Sequence, residues 1–104
     1  MKVIWSPLAL DRVSEAAEYI ARDDPLAAEE WLSGILDAAE RLSNFPRRGR
    51  LVPEAGRQDV REIYFGNYRI IYRIEPNRIA ILTVRHLRRL VDKEELKSQQ
   101  KGAA

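Results

Sequence analysis

Apolar residues recur in the first half of the chain at intervals of three and four, and in the second half at intervals of two. The first rhythm belongs to a helix buried on one side, the second to a strand. Lys2-Val3-Ile4-Trp5 is short and apolar and predicts a strand. Ser6-Pro7 then marks a helix start, because serine can cap free N–H groups and proline has no N–H to waste at the first helical position. Ala9, Val13, Ala16, Ala17 and Ile20 form its apolar stripe, with Asp11, Glu15 and Glu18 off it. Asp24-Pro25 repeats the start signal, and Ala28, Trp31, Leu32, Ile35, Leu36, Ala39, Leu42 and Phe45 carry a second helix that must end before Pro46. The short connection predicts an antiparallel helical hairpin, and its alanines permit close approach.

Pro46 to Asp59 contains Pro46, Gly49, Pro53 and Gly56 with Arg47, Arg48, Arg50 and Arg57, and reads as a basic loop. Three strands are predicted after it: Val60–Phe65, Tyr68–Glu75 and Ile79–His86. Gly66-Asn67 is a two-residue hairpin loop, both residue types tolerating positive φ, and Pro76-Asn77 is a second turn. Leu87–Lys97 is a candidate short helix. Residues 1–97 are expected to form one domain and 98–104 a disordered tail. Alternation puts Tyr68, Ile70, Tyr72 and Ile74 on one face and Arg69, Ile71 and Arg73 on the other. The same parity groups Ala80, Leu82, Val84 and His86 against Ile79, Ile81, Thr83 and Arg85. The expected fold class is α+β: an N-terminal strand that joins the sheet, and a helical hairpin packed on the apolar face of a small, mainly antiparallel sheet. Its other face carries arginines.

Composition narrows the chemistry. Absence of cysteine excludes a disulfide framework, a thiolate nucleophile and a cysteine-based metal site. Met1-Lys2 precedes only three apolar residues before Ser6-Pro7, unlike a signal peptide, and no apolar run approaches the roughly 18 residues of a membrane helix. A cytoplasmic protein with no membrane partner, cofactor or metal is expected. The net charge of +2 conceals an asymmetry: residues 1–46 hold 4 basic and 9 acidic residues, net −5, and residues 47–104 hold 14 basic and 7 acidic, net +7. Eleven of those 14 are arginines, suited to an anionic partner.

The order of elements and several local patterns resemble a known family. These are Trp5-Ser6-Pro7, Asp24-Pro25-Leu26-Ala27-Ala28, Phe45-Pro46-Arg47-Arg48-Gly49-Arg50, Val60-Arg61-Glu62, Tyr68-Arg69-Ile70-Ile71-Tyr72-Arg73 and Val84-Arg85-His86-Leu87-Arg88-Arg89. Over residues 2–89 the chain resembles the RelE/ParE superfamily of type II toxin–antitoxin toxins, the ParE branch more than the RelE branch. The resemblance implies a cognate antitoxin, ParD-like and of the ribbon-helix-helix class, whose acidic or amphipathic segment folds onto the toxin. It also implies one of two targets. RelE-like members cut messenger RNA in the ribosome, and ParE-like members poison DNA gyrase.

RNA cleavage by a 2′-hydroxyl needs a proton acceptor, a proton donor and positive charge on the phosphorane. Arg61, Arg69 and Arg85 could supply charge, and His86 has a suitable intrinsic pKa; these four would be the catalytic residues of a ribonuclease. Glu54 and Glu62 are the other candidate bases. No tyrosine follows Tyr72, where RelE-like enzymes often carry one, so the favoured expectation is a gyrase inhibitor with no catalytic residue. Its partner-binding residues are then expected to be Arg61, Arg69, Arg73, Arg85, Arg88 and Arg89. A non-toxic basic nucleic-acid-binding module is the third reading.

Overall fold

The computed structural model describes residues 1–88 and 93–97; the tail expected at 98–104 lies outside them. Strand β1 (Lys2–Trp5) leads into helix α1 (Pro7–Ala21) and helix α2 (Pro25–Glu40). Two 3₁₀ turns follow, Arg41–Ser43 and Pro46–Arg48, then β2 (Arg50–Leu51), β3 (Val60–Phe65), β4 (Tyr68–Ile74), β5 (Arg78–His86) and helix α3 (Lys93–Lys97). The sheet order is β1-β5-β4-β3-β2. β1 runs parallel to β5 and the other neighbours are antiparallel. The α+β class and the N-terminal strand's place in the sheet, as the edge strand beside β5, therefore agree with the sequence. Among the described residues, no helix is long and apolar enough to cross a membrane.

The helix starts are built as their residues dictate. The Ser6 hydroxyl accepts the Ala9 N–H at 3.0 Å and donates to the Leu82 carbonyl at 2.8 Å, so one cap also ties α1 to the sheet. Asp24 accepts the Ala27 N–H at 3.1 Å. Ala9 and Val13 of α1 and Ile35 and Ala39 of α2 then bury against Ile70, Tyr72, Ile79, Ile81 and Val84.

Five expectations need correction. The face expected to present open arginines is itself covered: Val60, Ile71, Ala80 and Leu82 form a second apolar cluster with Val52 and Ala55 of the 52–59 segment and Leu96 of α3. The alternation along β5 breaks, because Ile71 pairs with Thr83 while Tyr72 pairs with Ile81, leaving Leu82 as an extra residue. This bulge puts Ala80, Leu82, Thr83 and Arg85 toward the second cluster and Val84 and His86 toward the helices, so His86 is not a same-face neighbour of Leu82. In the β3–β4 loop only Gly66 takes a positive φ, 56°, and Asn67 does not. Helix α2 ends at Glu40, and Phe45 is 65% exposed rather than part of its apolar face. Leu87 and Arg88 form a turn, with helix described only at Lys93–Lys97.

Candidate functional site

The strand arginines on the outer face have partners. Arg69, only 7% exposed, donates its Nε to Glu62 at 2.6 Å and its two terminal nitrogens to Glu54 at 3.2 and 3.3 Å. Burial alone would lower the Arg69 guanidinium, but hydrogen bonds from it to Glu54 and Glu62 raise it above its ordinary value and keep it charged. Glu62, 1% exposed, also accepts from Arg50 Nε at 2.7 Å. Arg73 donates to Glu75 at 2.6 and 3.1 Å. Arg85 pairs with Glu95 of α3 at 3.0 Å, and the same carboxylate accepts the Thr83 hydroxyl at 3.0 Å. The positive charge foreseen on this face is thus largely neutralised within the chain.

Glu75 gives this face a measurable signature. Burial would raise its carboxyl, but hydrogen bonds from Arg78 and Arg73 hold it below the ordinary value of 4.5. A carboxyl lowered in the fold contributes stability above its unfolded pKa and loses it as pH falls through the folded one. Melting temperature is therefore expected to decline on acidification below about pH 4.5, and Glu75→Gln to flatten that decline. An unchanged acid limb in the variant would contradict the Arg73–Glu75–Arg78 pairing.

Arg61 lies on the opposite face from Arg69 and Arg73, because it pairs with Tyr72 across β3 and β4; it does not extend their charge. Its NH1 donates instead to the Gly49 carbonyl at 3.0 Å. The Tyr72 hydroxyl accepts the Gly49 N–H at 2.9 Å and donates to the Pro46 carbonyl at 2.6 Å. Burial pushes the Tyr72 phenol up, so it keeps the proton that this donation requires. These bonds fix the basic loop from beneath and hold Arg47 and Arg48 at the surface.

The other cluster sits at the end of β5. His86 meets the Tyr68 ring edge-on at 5.4 Å between centroids, and Tyr68 lies 5.1 Å from Trp31. His86 Nδ1 accepts the Arg88 N–H at 3.2 Å. A neutral ring accepting at Nδ1 carries its hydrogen on Nε2, an assignment that follows from this contact. Tyr68 is raised by burial, then by the neighbouring Tyr19, and stays a neutral phenol. An open cleft of about 590 Å³ adjoins them, lined by Arg12, Tyr19, Arg85 and Arg88 among others. Arg88 is exposed; Arg89 lies outside the described residues. The six expected partner-binding residues therefore do not form one patch. Arg69, Arg73 and Arg85 lie on the covered face, Arg61 under the basic loop, and Arg88 at the β5 end.

Sequence reading missed Glu95 and the Gly49–Tyr72–Arg61 bonds. The first depends on α3 folding back over the sheet, for which the sequence offers no local signal.

Comparison with known proteins bears on this arrangement. The family described as the ParE toxin of the type II toxin–antitoxin system, parDE, matches residues 3–91. Toxin RelE2 of Caulobacter vibrioides is 32% identical over 89 residues, covering 86% of this chain and 98% of that protein. Y4kP of Sinorhizobium fredii is 36% identical over 88 residues, covering 82% and 86% respectively. Among solved structures, a chain of the chromosomal ParDE system from P. aeruginosa shares the fold with a TM-score of 0.69 at 18% identity, covering 83% of this chain and 95% of its own. A chain of the RelBE2 toxin–antitoxin complex from Mycobacterium tuberculosis does so with a TM-score of 0.59 at 23% identity, covering 82% and 95%.

Proposed function

The chain belongs to the ParE toxin family of type II toxin–antitoxin systems, and from that premise we propose that it arrests growth in the cytoplasm by binding DNA gyrase, without covalent catalysis. In this reading a cognate ParD-like antitoxin neutralises it. The observation that carries the proposal is that each candidate proton acceptor is already engaged. Glu54 and Glu62 are both spent on Arg69, and Glu62 on Arg50 as well. His86 Nδ1 is turned to the Arg88 N–H. A ribonuclease lacking a base forfeits a contribution of about 10²–10⁴-fold, whereas an inhibitor that acts by binding needs none.

One observation favours the ribonuclease as runner-up: the Nε2–H of His86, beside a cleft that holds Arg85 and Arg88, offers a donor for a leaving oxygen. His86→Gln separates the two readings. Expressed without antitoxin, the variant is expected to arrest growth as the parent does, in whatever fraction stays folded. If the purified variant keeps its melting temperature yet loses toxicity by about 10²–10⁴-fold, His86 is catalytic and the gyrase reading falls.

A further inference from the structure

The strand arginines are committed to partners within the chain, but the two arginines of the Pro46–Arg48 turn are not. Arg47 and Arg48 are exposed, and no ion pair or side-chain hydrogen bond engages either among the described residues. They border an open cavity of about 650 Å³ whose other lining residues are Met1, Phe45, Pro46 and Ile74. Phe45 is 65% exposed and Met1 49%, so the floor is apolar and open to solvent while the rim is cationic. An apolar side chain seated on this floor would leave water, and the rim attracts negative charge.

The surface is also formed in advance. The Tyr72 hydroxyl bonds both Pro46 and Gly49, and Arg61 bonds Gly49, on either side of Arg47 and Arg48. A partner therefore meets a loop whose ordering cost is already met by the fold. We propose that this surface docks an acidic peptide segment bearing an apolar anchor, the anchor seated on Phe45 and flanking carboxylates on Arg47 and Arg48. Charge directs it here: residues 1–46, which build the helical hairpin, carry a net −5 and repel such a segment. A nucleic-acid strand fits less well, since two cations around apolar carbon make a short track for a phosphate backbone. The inference deepens the toxin reading only by naming the antitoxin as the protein that supplies the segment.

The test is an NMR titration of the isotope-labelled full chain with two synthetic peptides of equal charge and about twelve residues. One alternates leucine with glutamate and the other serine with glutamate; oligothymidylate is the third probe. The leucine peptide is expected to shift the amide signals of residues 45–49 saturably, with the serine peptide about tenfold weaker. Phe45→Ala, and separately Arg47→Gln with Arg48→Gln, should each weaken the leucine peptide about tenfold while signals from the sheet stay in place. Equal binding of the two peptides, shifts confined to α1 and α2, or tighter binding of oligothymidylate would overturn the proposal. Growth arrest is read separately. A chain that arrests growth but does not bind the leucine peptide at this loop loses the surface and keeps the toxin reading; Phe45-dependent binding without arrest does the reverse.

Discussion

Replacing Glu62 with glutamine is expected to cost the fold about 3–5 kcal/mol, the scale for breaking a buried ion pair by removing one partner. Glu62 is 1% exposed and receives Arg69 and Arg50 at 2.6 and 2.7 Å. Glutamine keeps the shape and one acceptor oxygen but removes the charge opposite a guanidinium that is itself 7% exposed. Glu54 continues to hold Arg69 from its other side, which favours the lower end of the range. For a domain of this size about 3 kcal/mol corresponds to a fall in melting temperature of more than roughly 10 °C. Glu54→Gln should cost less, because its side chain keeps 24% of its exposure and water can replace it. Thermal unfolding of both variants decides the matter: equal small shifts would mean that Arg69 is not held by Glu62.

Gly49→Ala should be comparably severe for a different reason. Its φ of −73° is ordinary for any residue, so the backbone is not the obstacle. A Cβ there would stand 2.6 Å from the Glu62 carbonyl oxygen and 2.6 Å from the Tyr72 hydroxyl. The first is strand backbone and the second belongs to a fully buried ring, so neither can yield cheaply. Overpacking together with loss of the Gly49–Tyr72 bond should cost about 2–4 kcal/mol. Amide hydrogen exchange would show whether the loss is local: faster exchange at position 49 and its neighbours is expected, with the β4–β5 core losing least of its protection. A variant with parental stability would contradict the close approach.

Much of this architecture could be read from residue spacing because local and tertiary demands agree. Ser6-Pro7 and Asp24-Pro25 each start a helix where the stripe begins, and the parity that sets Ile70 and Tyr72 apart from Ile71 in β4 survives in the fold. The hairpin loop also contained more than parity was asked to give. A two-residue loop at Gly66-Asn67 pairs Phe65 with Tyr68, which places Arg61 opposite Tyr72 and Glu62 diagonal to Arg69. Counting that register from the sequence would have separated Arg61 from Arg69 and suggested the buried ion pair. Other features had no local signature. The extra residue at Leu82 ends an unbroken apolar run, Ile79 to Leu82, along which either face assignment looks equally good. The covering of the outer face depends on Val52 and Leu96, two apolar residues from segments far apart in the chain. Charge was the most misleading cue, because counting arginines does not show which carboxylates return to meet them. Among the described residues, six of the arginines beyond residue 46 are held in ion pairs by the chain's own acids.

The central claim, a toxin that acts by binding gyrase and not by cutting RNA, is tested most directly with purified components. The chain would be added to gyrase supercoiling a relaxed plasmid and, in parallel, to ribosomes translating a defined messenger RNA. Supercoiling should fall in proportion to the chain added while the messenger stays intact. Codon-specific cleavage of the messenger with supercoiling unaffected would contradict the account and return His86 and the arginine-lined cleft beside it to the centre of the mechanism.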